Sequence, residues 1–155
     1  MRVAVGSDEK TPLTDAAISY LKEKGFEVET YGALADSEPD WPDVACNVAE
    51  RVASGACHEG VLFCWTGTGV SIAANKVPGI RAALCADPAT AKGARVWNRA
   101  NILAMGLRLT SPAVGCEILE TWFSTPPGSG EDAKAIAKLD AIERKYSKRK
   151  AKKRL

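Results

Sequence analysis

The chain has 155 residues, 46% hydrophobic and 26% charged, with 13 glycines and 8 prolines. That is ordinary globular usage, long enough for one compact domain that buries about two-thirds of its unfolded surface and too short for two separately cored ones. No apolar run approaches the roughly 20 residues that span a bilayer, and Met1-Arg2-Val3-Ala4-Val5-Gly6 enters a strand pattern at once, with no space for a signal peptide, so a cytoplasmic protein is expected. The net charge of +2 is uneven, because residues 144–155 carry eight of the 21 basic residues and no acid, leaving 13 basic against 19 acidic residues before them.

In chain order, residues 2–6 predict a short apolar strand, and Thr14 or Asp15 a helix start whose apolar face (Ala17, Ile18, Leu21) ends at Gly25. Residues 26–31 alternate with period two, and Pro42 opens a second helix through Val44, Val48 and Val52 to Gly55. Gly60-Val61-Leu62-Phe63-Cys64 predicts a third strand running straight into Trp65-Thr66-Gly67-Thr68-Gly69-Val70-Ser71, a glycine loop and helix start. Residues 81–85 predict a fourth strand, Asp87-Pro88 caps a helix through Trp97, and residues 101–106 predict a fifth strand. Helices at 112–123 and 131–146 follow, joined by Ser124-Thr125-Pro126-Pro127-Gly128-Ser129-Gly130 as a hinge. Near-continuous apolar strands alternating with helices predict a single-domain, Rossmann-like three-layer α/β sandwich: a five-stranded parallel sheet and a C-terminal helix. In such sheets ligands bind beyond the carboxyl ends of the strands.

Five cysteines at irregular spacing, without a CxxC pair, predict neither a zinc site nor a disulfide framework, and no metal or cofactor is expected. The one histidine, His58, lies in a turn-like segment before the third strand and reads as a surface residue. The basic end has the composition of a nucleic-acid arm. With no basic stripe elsewhere and no interleaved aromatics, it reads instead as a frayed, solvated helix end over 147–155, after a domain covering 1–146.

The segment Cys64–Ser71 carries the clearest chemistry. Gly67 and Gly69 let backbone approach a ligand, and the helix start offers unpaired N–H donors with a positive dipole, which makes an anion cradle. It matches neither the P-loop, lacking GK[ST], nor the dinucleotide fingerprint, lacking a third glycine. Cys64 ends the strand beside that dipole, a setting that favours a thiolate. Asp8, in Gly6-Ser7-Asp8, ends the first strand at the same edge, either as a ligand for substrate hydroxyls or as an Asx turn.

Val3-Ala4-Val5-Gly6-Ser7-Asp8, Asp40-Trp41-Pro42-Asp43, Cys64-x-Thr66-Gly67-x-Gly69-x-Ser71-Ile72-Ala73-Ala74-Asn75-Lys76, Gly79-Ile80-Arg81-Ala82-Ala83 and Asn98-x-x-Asn101-Ile102-Leu103-Ala104-Met105-Gly106 together resemble the type B ribose-5-phosphate isomerase family, which includes the galactose-6-phosphate isomerase subunits. The resemblance covers the chain to about residue 146. It implies metal-free aldose–ketose isomerisation through a cis-enediol, in a homodimer with active sites between subunits and a possible further pairing into tetramers. It assigns Cys64 as the proton-transferring base, Thr66 as its hydroxyl partner, Asp8 as a substrate-hydroxyl ligand, and the amides of residues 65–69 as an anion hole. Asn98 corresponds to a substrate-binding asparagine given across the dimer, and Arg108 to a phosphate-site arginine. Thr68, Ser71, Trp65 and Trp97 complete the expected substrate-binding set.

The departures are as specific. Glu9 stands where the family has a histidine, Trp97 where it has a ring-opening histidine, Trp65 where it has glycine, and Glu131 and Ala135 where arginines grip phosphate. The expected function is therefore an aldose–ketose isomerase of a sugar or sugar phosphate, with an altered substrate. The alternative is a non-catalytic sugar- or partner-binding dimer of the same fold, and neither membrane nor nucleic acid is an expected partner.

Overall fold

The computed structural model describes residues 1–37 and 40–152, with side chains in the last helix described to Ser147. Its elements run β1 (Arg2–Ser7), α1 (Pro12–Glu23), β2 (Glu27–Gly32), a 3-10 turn (Ala33–Ala35), α2 (Trp41–Ala53), β3 (Glu59–Cys64), α3 (Thr68–Ala74), β4 (Ala82–Leu84), α4 (Pro88–Asn98), β5 (Ile102–Gly106), α5 (Pro112–Ser124) and α6 (Glu131–Lys152). The five strands form one sheet in the order β2-β1-β3-β5-β4, and every neighbouring pair is parallel.

Strand side chains alternate between the two covered faces, as pleating requires. Val3, Val5, Val61, Phe63, Leu103 and Met105 point into a core shared with α1, α4 and α5. Ala4, Leu62, Cys64, Ile102 and Ala104 point into a second core with α2 and α3. Close packing accounts for several glycines here. A Cβ on Gly6 would lie 2.6 Å from Val44 Cγ1, and one on Gly115 2.3 Å from Leu13 Cδ1, so β1 against α2, and α5 against α1, meet backbone to side chain.

The predicted elements are all present, with shifted ends. Helix α1 starts at Pro12, not at Thr14 or Asp15: Thr11 is the N-cap, its hydroxyl accepting the Thr14 N–H at 3.4 Å while the Thr14 hydroxyl accepts the Thr11 N–H at 2.9 Å. Thr14 is thus the inner half of a capping box, a role its sequence position does not separate from the cap itself. The last helix continues past 146 to Lys152, so the basic end is helical through that residue; residues 153–155 lie outside the described residues. The segment after α5 is clamped and not a free hinge. Gly128 donates its N–H to the Arg95 carbonyl at 3.1 Å, and a Cβ on it would meet the Val96 carbonyl oxygen at 1.6 Å.

Beneath that clamp lies a buried ionic cluster. Arg95 and Glu59 pair at 2.6 Å with both side chains buried, Trp122 donates its indole N–H to the other Glu59 oxygen, and the guanidinium stacks 5.1 Å from the Trp122 ring. Arg95 also donates to the Ala100 carbonyl at 2.7 Å and the Thr125 carbonyl at 3.3 Å. Burial pushes the Glu59 carboxyl above its ordinary range, against the pull of Arg95 and Trp122.

Candidate active site

The strand order reverses at β1. The chain leaves β1 through α1 on one face, whereas β3, on the other side of β1, leads into α3 on the opposite face. The carboxyl ends of β1 and β3 therefore flank an open crevice, where doubly wound sheets bind ligands. Register sets what stands there: Ser7 pairs with Phe63 and Cys64 with Gly106, so Asp8, Cys64 and the start of the β5 loop share one level.

Asp8 follows β1 in a tight turn. Its turn is closed by Ser7, whose hydroxyl donates to the Glu9 carbonyl at 2.6 Å and accepts the Glu9 N–H at 3.2 Å. Asp8 itself is left with a buried Oδ1 that has no hydrogen-bond partner, a cost that a ligand donor would relieve. Burial pushes its pKa up, and the charge of Glu9 adds to the rise.

Cys64 is 6% exposed and faces α2 and α3. Its carbonyl accepts the Leu107 N–H at 3.0 Å and the Gly67 N–H at 3.2 Å, which folds the loop back over the strand end. Gly67 takes φ +75° as the N-cap of α3. The Gly67 amide is thereby engaged with Cys64, and the open donors are those of Thr68, Gly69 and Val70, ahead of the first helical bond from Ser71 to Gly67 at 3.3 Å. The hydroxyls of Thr66 and Thr68 are linked at 2.6 Å, and both threonines are exposed at the crevice with Ser71 one turn along α3. Gly69 lies beneath Trp41, whose ring would be 3.0 Å from a Cβ at that position.

A Cβ on Gly67 would meet Leu84 Cδ1 at 2.6 Å, the Met105 carbonyl carbon at 2.8 Å and the Gly106 nitrogen at 2.9 Å. Gly67→Ala therefore combines left-handed strain with a backbone clash, and is expected to cost about 3 kcal/mol of stability and most of the activity. Thermal melting paired with a turnover assay checks this; a variant matching the parent in both would show that the loop relaxes freely.

Arg108 follows β5 at the same edge. Its N–H donates to the Trp65 carbonyl at 2.9 Å, its guanidinium stands 6.0 Å over the exposed Trp65 ring, and it makes no ion pair among the described residues. Trp97 and Asn98 are not brought to this group within one chain. They end α4, which leads back to the start of β5 and so to the opposite edge of the sheet. Trp97 folds over Gly93 of its own helix and remains 64% exposed. Asn98 lines a separate cleft of about 520 Å³ between α6 and residues 75–83, with Arg81, Leu139, Ile142 and Glu143. Glu131 and Ala135 are exposed on the first turns of α6.

Two features of the site had no sequence expectation as site features: Trp41 as the wall over Gly69, and Gly106 as the seat of the loop, where a Cβ would be 2.8 Å from the Thr66 carbonyl oxygen. Tryptophan at the first position of a helix carried a signal as part of Asp40-Trp41-Pro42-Asp43, and Gly106 as the last residue of an apolar strand. Among the described residues no three His, Cys, Asp or Glu side chains gather as metal ligands, and no helix is long and apolar enough to cross a membrane.

Comparison with known proteins adds three findings. Residues 3–139 match the family model described as Ribose/Galactose Isomerase. The chain is 36% identical to D-erythrulose-4-phosphate isomerase of Pectobacterium atrosepticum, over 92% of this chain and 95% of that protein. It is also 36% identical to ribose-5-phosphate isomerase B of Escherichia coli, over 83% and 86%. The solved structure of Clostridium thermocellum ribose-5-phosphate isomerase B superposes with a TM-score of 0.88 at 40% identity, covering 94% of this chain and 99% of that one.

Proposed function

Because the chain belongs to the ribose/galactose isomerase family, and is on that footing an aldose–ketose isomerase acting on a sugar phosphate, we propose that Cys64 is the base that carries the proton and that the Cys64–Ser71 loop holds the enediol. The observation that carries this reading is the convergence of a buried strand-end thiol, open helix-start amides and the orphaned Asp8 oxygen on one crevice.

The chemistry follows from the placement. Moving a proton between adjacent carbons needs one base that reaches both, and the Cys64 thiolate at the crevice floor is that group. The oxygen that gains charge needs donors fixed in advance, which the amides of Thr68 and Gly69 and the coupled Thr66 and Thr68 hydroxyls supply. Asp8 orients the sugar by accepting a hydroxyl. Arg108 takes the phosphate, with Trp65 beneath its guanidinium. Two copies complete one another in this reading: Trp97 and Asn98 serve the partner's crevice, and the exposed Trp97, Ile72 and Leu109 are the apolar surface of that contact. Five free cysteines suit the reducing cytoplasm.

The test is proton exchange in heavy water. Deuterium entering the carbon beside the carbonyl of a sugar phosphate supports the reading, and its absence across pentose and tetrose phosphates at enzyme-level concentrations overturns it. Arg108→Met is expected to raise KM for a phosphorylated substrate about tenfold to a hundredfold with little change in kcat, since a charge-assisted contact contributes about 1.5–3 kcal/mol; steady-state kinetics with the phosphorylated and free sugars shows whether the loss is confined to the former.

A further inference from the structure

We infer that this isomerase takes an acyclic substrate, a sugar phosphate whose own phosphate ester blocks ring closure, and has no means of opening a furanose. The inference rests on the isomerase reading above and concerns the form in which the sugar enters. Isomerisation needs a free carbonyl. A pentose 5-phosphate is mostly closed through its C4 oxygen, so an enzyme that uses it must first take the proton of the anomeric hydroxyl and deliver one to the ring oxygen. Near neutral pH imidazole is the side chain suited to both transfers.

The chain has one histidine. His58 immediately precedes β3, six residues and so about 20 Å along the chain direction from Cys64, and its Nδ1 accepts the Arg2 N–H at 3.1 Å. A second copy brings no other imidazole. At the end of α4 the residue offered is Trp97, whose ring is folded on Gly93 and carries no titratable proton. The groups gathered at the crevice are a thiol, hydroxyls, amides, the Arg108 guanidinium, the exposed Glu9 and one Asp8 oxygen without a partner, with no imidazole among them.

A four-carbon sugar esterified on its terminal oxygen meets this site without a preliminary step, because the oxygen that would close a five-membered ring carries the phosphate. For the aldose, the Cys64 thiolate removes the C2 proton as the carbonyl oxygen gains one, giving the cis-enediol. The thiol then returns the proton to C1 while the C2 hydroxyl loses its own, and the double bond ends between C2 and its oxygen. No electron leaves the substrate and no co-reactant is consumed.

The experiment compares D-erythrose 4-phosphate with D-ribose 5-phosphate over a wide range of enzyme concentration. With the acyclic substrate the rate should rise in proportion to enzyme throughout. With the furanose a small burst, equal to its free aldehyde, should give way to a rate that stops rising with enzyme because uncatalysed ring opening limits it. A ribose 5-phosphate rate that stays proportional to enzyme and exceeds spontaneous opening would overturn the inference and leave the isomerase reading intact. Turnover of neither sugar, with no deuterium uptake, would instead overturn the reading on which it rests.

Discussion

Cys64→Ala is expected to slow deuterium uptake at the substrate carbon by about 10³-fold or more, with the melting temperature within a few degrees of the parent. A positioned general base contributes typically 10²–10⁴-fold, and in the proposed arrangement Cys64 is the group that serves both carbons. The structural cost is small because the change removes one sulfur from a packed but not central position, about 1 kcal/mol. Cys64→Ser should be similarly slow despite its closer size, since a hydroxyl is not ionised near neutral pH; this separates loss of the base from loss of packing. Exchange within tenfold of the parent in either variant would move the proton-transfer role away from Cys64, to the carboxylates Asp8 or Glu9 at that edge.

The largest expected loss of stability comes from the far side of the sheet. Arg95→Ala leaves Glu59 buried with its indole partner and no cation, a change that costs about 3–5 kcal/mol and so about 10 °C of melting temperature in a domain this size. Glu59 supplies the sign of the pH dependence. Its folded pKa lies above the ordinary value, and without Arg95 it lies higher still, so the folded state gains from protonation below that value and loses as the pH rises through it. The variant should therefore lie nearer the parent at about pH 5 than at about pH 8. Replacing both partners with Leu and Met should cost less than either single change, because no charge is left alone. A deficit that is flat with pH, and additive singles, would show that Arg95 acts by packing only. Activity should fall as well, since Arg95 ties the end of α4, with Trp97 and Asn98, to α5 and the Gly128 clamp.

The sheet was legible because its strands are covered on both faces. Val61-Leu62-Phe63-Cys64 and Ile102-Leu103-Ala104-Met105 are unbroken apolar runs, and a run of that kind between helical patterns has few other homes. The glycine loop was legible for the same local reason: two glycines after a strand and before a helix announce a close backbone approach. Helix starts were less so, since Thr11, Thr14 and Asp15 are all capping residues and only the reciprocal hydrogen bonds say which one caps. The ionic cluster was illegible because Glu59 and Arg95 are 36 positions apart and each, taken alone, has the look of a surface charge. Burial of one by the other is a tertiary fact. Trp97 and Asn98 entered as site residues only through a resemblance: the strand-helix order puts them at the edge opposite Cys64, and nothing in their spacing links them to it.

The parallel topology also sets the order in which the site can come into being during synthesis. The central pairs, β1 with β3 and β3 with β5, join strands that are not consecutive in the chain, so each of these contacts waits for the intervening strand and crossover to be completed. The loop after Cys64 is held by the Leu107 and Arg108 amides and seated on Gly106. A nascent chain that ends before Ile102 contains the whole of Cys64–Ser71 and can still form β1 beside β2, yet the loop has nothing to close upon. Its thiol and apolar strand stay open to the ribosome surface and to chaperones until β5 emerges. Cys64, the proposed proton carrier, is thus translated early and reaches its folded surroundings late.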